Sequence, residues 1–522
     1  MRLKSFLVGC VGGLIALTSA QAADLPVKAK PVEYVKICSL YGVGFYYIPG
    51  TDMCLKVGGY VRAQAEWGST QGLPFGSSYN GLYSASNINN ALFTRQSDNI
   101  QMTGRAMLTA DARNQSEYGT VRAYIRIGAV LNNADAATFV AERAFIQFAG
   151  FTFGQTQSFF DIFSTTELMS YFDAKTSGDT YNYGVKVLAY TAQFGNGFSG
   201  TIAAELGHYP AGVLNGNPGG FALGGSIGTA STAGFRMPDI VGNLRLDQPW
   251  GYVGVSGAIH QVAGRYYGGG NQENTGHPDD KYGWAASVGG LFYLPWLGGG
   301  DSIGANFVYS KGAVGYATKA GNWQIAHDDN IGVGWVVDGM YDNTGIFSPT
   351  NPSQIELTNA WSVNAGYEHF WNPRWRTSLY GGYTRVWYDQ TATNIANQHL
   401  PTPSTAPSIA CGLPVEGSVW PPINVQHGEG NSCTPNFSFW QVGSRTQWNI
   451  TRDFYMGVDV TYTHLNTAYQ GANNNGAAVY PSVAPKIAST VVDDQSIVSA
   501  IFRAQMNFEA RNEGTSFVFG QR

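Results

Sequence analysis

The chain has 522 residues, 44% of them hydrophobic but only 12% charged, against about 25% in a typical soluble globular protein. Its mean hydropathy of -0.14 is too polar for a bundle of membrane helices. Beyond the N-terminus the longest uncharged stretch, Leu206 to Phe235, is broken by Gly, Pro, Asn and Ser and cannot be a bilayer helix. A sequence pI near 5.9 argues against a nucleic-acid partner. The 67 glycines and 30 tyrosines leave an all-β chain that dilutes its charge without being greasy.

Taken in chain order, Arg2 and Lys4 precede the apolar run Phe6 to Leu17, and Ala20-Gln21-Ala22 follows as a cleavage site. This predicts a secretory signal peptide at 1–22. Leu7-Val8-Gly9-Cys10 resembles a lipoprotein box, but cutting there would leave too short an apolar core. Removal of 1–22 takes away two positive charges and moves the net charge from -5 to -7. Residues 23–54 lack strand alternation and carry Lys28, Lys30 and Lys36, which suggests a periplasmic segment beneath the main fold.

Four cysteines then remain, Cys38, Cys54, Cys411 and Cys433, and four allow three pairings. Export favours oxidation, and locality favours 38–54 with 411–433, each worth about 3 kcal/mol on the chain-entropy model. There is no C-x-x-C, the eight histidines are scattered, and no metal or cofactor is expected.

Leu55 to Trp67 alternates strictly. Leu55, Val57, Gly59, Val61, Ala63, Ala65 and Trp67 lie on one face, and Lys56, Gly58, Tyr60, Arg62, Gln64 and Glu66 on the other. The segments 103–113, 121–127 and 499–508 repeat the pattern. Their apolar faces are rich in Ala and Gly, and arginines recur opposite. Apolar-out and polar-in is the pattern of a transmembrane β-barrel. Seven tight turns, at 114–118, 149–150, 195–197, 247–250, 295–300, 371–374 and 451–453, alternate with eight long polar segments beginning near residues 68, 131, 158, 209, 263, 313, 389 and 467. Fifteen connections give sixteen antiparallel strands, the even number a bacterial barrel requires. Asn330 to Gly339 also reads as a strand and is placed inside the sixth long loop. Trp250, Trp296, Phe370, Trp371, Trp375, Trp448 and Phe454 crowd the tight-turn end, as an interfacial girdle does.

The segments 23–64, FTFGQTQSFFD (151–161), AWSVNAGYEHFWNPRWRTSLYGGY (360–383) and FWQVGSRTQWNI (439–450) resemble the general outer-membrane porins of alphaproteobacteria, of the Rhizobiales type. The resemblance implies a homotrimer of sixteen-stranded barrels in the outer membrane, in contact with lipid and lipopolysaccharide. Each barrel passes small hydrophilic solutes and ions, with the third external loop folded inward. It also raises attachment to peptidoglycan through the mature start Ala23-Asp24. On this reading residues 55–508 are the barrel. Such porins usually finish near the last aromatic, here Phe508, so 509–522 is an extra C-terminal tail.

By alternation Arg62, Arg105, Arg122, Arg126 and Arg143 point into the lumen from the first four strands and form one basic wall. The third loop, 158–182, carries Asp161, Glu167, Asp173 and Asp179, with Lys175 its only cation. If that loop folds inward, acids face bases across the narrowest water. Alternatively each arginine pairs with a lumen neighbour such as Glu66 or Asp111. Gly224-Gly225-Ser226-Ile227-Gly228 fits a hydrolase elbow but has no strand feeding a helix. Gly195, Gly197 and Gly200 fit a dinucleotide fingerprint but occupy a hairpin turn. Asp279-Asp280 and Asp328-Asp329 lack EF-hand spacing. No enzyme is expected. A substrate-specific channel, for example for sugars, would need more lumen aromatics than Tyr60, Tyr124 and Tyr252. A secreted soluble β-protein is the remaining alternative.

Overall fold

The computed structural model describes residues 37–68, 100–132, 137–164, 169–172, 176–180, 184–208, 213–215, 232–234, 236–267, 273–319, 321–327, 330–342, 353–398, 434–471, 473–474 and 490–508. Sixteen strands form its frame: β1 (Cys54–Trp67), β2 (Ile100–Ser116), β3 (Gly119–Asn132), β4 (Thr138–Phe148), β5 (Phe151–Thr156), β6 (Val185–Gly195), β7 (Phe198–Leu206) and β8 (Asp239–Gln248). The second half comprises β9 (Gly251–Val262), β10 (Lys281–Tyr293), β11 (Ser302–Lys311), β12 (Asn359–Asn372), β13 (Trp375–Trp387), β14 (Phe437–Asn449), β15 (Phe454–Asn466) and β16 (Gln495–Asn507). Each strand pairs antiparallel with its neighbours in the chain, and β1 closes the ring on β16 from Tyr60↔Asn507 to Trp67↔Ala500. Closure leaves no strand edge to satisfy, which a bilayer demands.

The burial pattern inverts that of a soluble protein. Outward Val61, Leu108, Ile125, Leu188, Ile202, Leu379 and Phe502 are exposed, whereas inward Glu66, Glu205, Asn364, Ser378, Asp459 and Ser499 are buried. An apolar belt outside and a polar interior are what a membrane barrel needs. Aromatic girdles flank the belt. At the tight-turn end Trp375 stacks on Trp448 with ring centroids 5.5 Å apart, and Trp250 stacks on Phe292 at the same distance. At the other end Trp361 stacks on Tyr383 at 5.0 Å, and Trp284 lies 5.4 Å from Tyr309.

Two of the tight turns use positive φ at both central residues, Ala149 and Gly150 (49° and 87°), and Asn196 and Gly197 (51° and 77°). That twist matches the right-handed twist of the flanking strands. The second long connection is shorter than its sequence suggested, running only from Asn132 to Thr138. The sixth contains a hairpin, Gly321–His327 against Asn330–Val336. The expected strand at Asn330 therefore lies inside that loop and outside the barrel ring.

Cys38 and Cys54 form a disulfide. It ties residues 37–53 to the tight-turn end of β1, where Tyr46 and Tyr47 pair with Leu55 and Cys54. The Arg113 guanidinium lies over the Phe45 ring, 5.0 Å from its centroid. Residues 1–36, Cys411, Cys433 and 509–522 lie outside the described residues.

Candidate functional site

The third long loop does not stand up from the barrel. From the end of β5 it crosses the interior along the wall formed by β7 to β15. Ser158 Oγ and the Phe159 amide donate to the Glu205 carboxylate at 2.6 and 2.8 Å. Asn243 donates to the Phe159 carbonyl at 2.6 Å, and Ser256 to the Phe160 carbonyl at 2.7 Å. Further along, Asp459 accepts from Ser170 Oγ at 2.9 Å and from the Tyr171 amide at 2.6 Å. On the return, the Asn364 amide donates to the Thr176 carbonyl at 2.7 Å. Each contact satisfies an irregular backbone that would otherwise be buried without partners.

Glycines in the wall make room for the loop. A Cβ at Gly304 would lie 2.1 Å from the Phe163 ring, and one at Gly366 2.4 Å from Met169 Sδ. Part of the glycine content is therefore a set of sockets on the inward face.

The opposite wall, β16 and β1 to β4, carries the arginines. Arg122 and Arg113 share Asp111, with closest ion-pair contacts of 3.0 and 2.8 Å. Arg126 Nε lies 2.9 Å from Glu142 Oε2, and Arg105 pairs with the other oxygen of the same carboxylate. Arg62 donates to Gln505 at 2.7 Å, and Arg143 to the Glu142 carbonyl at 2.9 Å. Arg503 Nε donates to Gln64 at 2.6 Å.

Glu142 and Arg503 were missed in the sequence. Glu142 owes its position to a register shift, since Arg126 pairs with Arg143 and Ile127 with Ala141. The extra residue of this bulge turns both Glu142 and Arg143 inward. The acidic neighbour of Arg143 was the available signal. Arg503 lay on the inward face of the last strand, and ring closure sets it beside Arg62.

Of the four loop acids, Asp161 and Asp179 are buried, 5% and 4% exposed. The Asp161 carboxylate accepts from the Thr180 amide and hydroxyl at 2.8 and 2.7 Å, within its own loop. Glu167, Asp173 and Lys175 lie outside the described residues.

Toward the long-loop end, aromatic rings from three loops converge. His208, just after β7, stacks on Tyr316 of the sixth loop at 3.8 Å, and Phe160 of the third loop lies 4.6 Å from Tyr316. Burial holds the His208 imidazole down to about 3. The sixth-loop hairpin continues into the eighth loop, where Thr490–Val492 pairs with Asn330 and Ile331. Trp335 lies 5.6 Å from Tyr469 and accepts a hydrogen bond from Tyr388. The sixth, seventh and eighth loops thus form a second layer over part of the mouth.

A closed sixteen-strand barrel with an apolar exterior, a polar lumen and one loop laid across the interior has the architecture of an outer-membrane channel. The Porin subfamily model matches residues 24–501, and the chain belongs to that family. It is 31% identical over 270 residues to Porin Omp2b of Brucella suis, a match covering 48% of this chain and 64% of that protein. It is 30% identical over 357 residues to Porin Omp2b of Brucella neotomae, covering 63% and 85%. The outer-membrane channel DcaP of Acinetobacter baumannii shares the fold, with a TM-score of 0.52 at 12% identity over 88% of this chain and 99% of that one.

Proposed function

We propose that the chain forms a water-filled channel through which small hydrophilic solutes and ions diffuse passively, narrowed between the third loop and the arginine wall. The observation that carries this is the position of the loop. It covers the β7–β15 wall, which supports a passage on the side of Arg62, Arg105, Arg122, Arg126 and Arg143. Charged side chains around such a passage order its water and compensate the lost hydration of polar solutes, whereas apolar solutes gain nothing.

Three copies assemble into a homotrimer. The outward face of β1 to β4 supports this, because Ala63, Gly104, Ala106, Ala110, Ala112, Ala123 and Ala144, set among exposed Val61, Leu108, Ile125 and Ile146, leave room for a neighbour to pack closely. Lipid and lipopolysaccharide surround the trimer. Residues 1–22 are removed on export, Ala23-Asp24 touches peptidoglycan, and the Cys38–Cys54 segment sits at the periplasmic end. N-terminal sequencing that starts elsewhere than Ala23 contradicts the cleavage. A muramidase digest of sacculi without an N-terminal adduct contradicts a covalent attachment.

Liposome swelling with sugars of graded size tests the channel. A rate that falls smoothly with solute size is expected. One sugar entering far faster than its size allows would support a specific channel instead, and no swelling would contradict both.

A further inference from the structure

We propose that the channel prefers small anions, because cations outnumber carboxylates on the wall of β16 and β1 to β4, while Glu205 and Asp459 of the opposite wall lie beneath the third loop. The proposal rests on the channel reading and names its preferred class of solute. On β16 and β1 to β4 stand Lys56, Arg62, Arg105, Arg113, Arg122, Arg126 and Arg143, seven cations, with Arg503 bonded to the loop at Tyr171, against Glu66, Asp111 and Glu142, three carboxylates. Asp111 and Glu142 are each divided between two arginines. Arg62 instead takes the neutral oxygen of Gln505.

On the opposite wall Asp247 pairs with Arg245, Glu368 lies between Arg376 and Arg445, and Asp239 bonds His260. Glu205 and Asp459 are both 0% exposed, and each is engaged by hydroxyls and amides of the loop that covers it. Asp161 is occupied by Thr180. These carboxylates fasten the loop and are covered by it, whereas Glu66, Asp111 and Glu142 stand among the arginines of the other wall.

One net unit charge ~5 Å from a passing ion in water changes that ion's local concentration about fourfold. The effect shrinks with salt, because the Debye length falls from ~30 Å at 0.01 M to ~3 Å at 1 M. Because the same charge enriches chloride and depletes potassium, a chloride-to-potassium permeability ratio on the order of tenfold is expected in dilute KCl, declining toward one in molar KCl.

The test is the zero-current potential of the purified full-length protein in a planar bilayer under a KCl gradient. The wild type should give a ratio above one. Arg122→Gln with Arg126→Gln should bring it toward one, and Glu142→Gln should raise it. Glu66→Gln carries the same expectation as Glu142→Gln if the bulge does not form in that variant. Asp161→Asn should move the ratio less than the wall acids do. A wild-type ratio at or below one overturns the anion preference, as does a ratio that neither wall-acid variant raises. Absence of any conductance contradicts the channel reading, and the preference with it.

Discussion

Arg503 of the last strand donates from Nη2 to the Tyr171 carbonyl at 3.1 Å, and its guanidinium lies 4.2 Å from the centroid of the Tyr171 ring. One side chain of the closing strand therefore holds the tip of the third loop by both its backbone and its ring. Cation–π contacts of this kind strengthen where water is excluded. The tip is fastened from the other side by Asp459, which accepts from Ser170, Tyr171 and, at 2.6 Å, the Tyr380 hydroxyl.

Asp459→Ala removes that shared acceptor and leaves three donors without it. Hydrogen bonds to a charged group contribute about 1.5–3 kcal/mol each, so the tip should detach while the barrel persists. Single-channel recordings should show larger and noisier steps than the wild type. Steps of unchanged size and noise would mean that the loop is held without Asp459.

The socket at Gly304 gives a second expectation. Gly304→Ala places a methyl group against the Phe163 ring, and overpacking of this kind costs about 1–3 kcal/mol. The temperature at which the folded form is lost on gels should fall. Adding Phe163→Ala should recover part of the loss, because the ring that clashes is gone. Strictly additive effects of the two substitutions would refute the contact.

The Cys38–Cys54 bridge closes a loop of sequence separation 16. Its removal by Cys38→Ser with Cys54→Ser should lower stability by about 3 kcal/mol, read from urea unfolding in detergent. An unchanged midpoint would show that the N-terminal segment is held by packing alone.

His208 carries a pH dependence. Its folded value of about 3 lies below the unfolded value of 6.5, so the folded state refuses a proton that the unfolded chain takes up. Its contribution is fully present above pH ~6.5 and lost as pH falls toward 3, at about 1.4 kcal/mol per unit. His208→Gln should flatten the fall in thermal stability between pH 6.5 and 4. A variant that loses stability over that range as steeply as the wild type would contradict the buried neutral imidazole.

Alternation made the strands legible, because inward Arg62, Arg122 and Glu205 are flanked by outward Val61 and Ala63, Val121 and Ala123, and Ala204 and Leu206. Locality made Cys38–Cys54 legible. The bulge at Glu142 and Arg143 was hidden, since strict alternation allows only one of two adjacent residues to face inward. The path of the third loop was hidden too. It depends on Asn243, Asn364 and Asp459, which lie far from the loop in sequence and read as ordinary lumen residues until the ring is closed. The layer over the mouth has a local signal. Residues 321–336 show two alternating segments around Asp328-Asp329, a turn pair that suits a hairpin, although the parallel pairing with Thr490–Val492 has no local mark.

Single-channel conductance in planar bilayers, comparing the wild type with Arg122→Ala combined with Arg143→Ala, tests whether the arginine wall bounds the passage. Discrete steps are expected in the wild type, with a changed step size and ion selectivity in the variant. Steps identical in size and selectivity would contradict the arginine wall as the boundary of the passage, and no steps at all would contradict the channel.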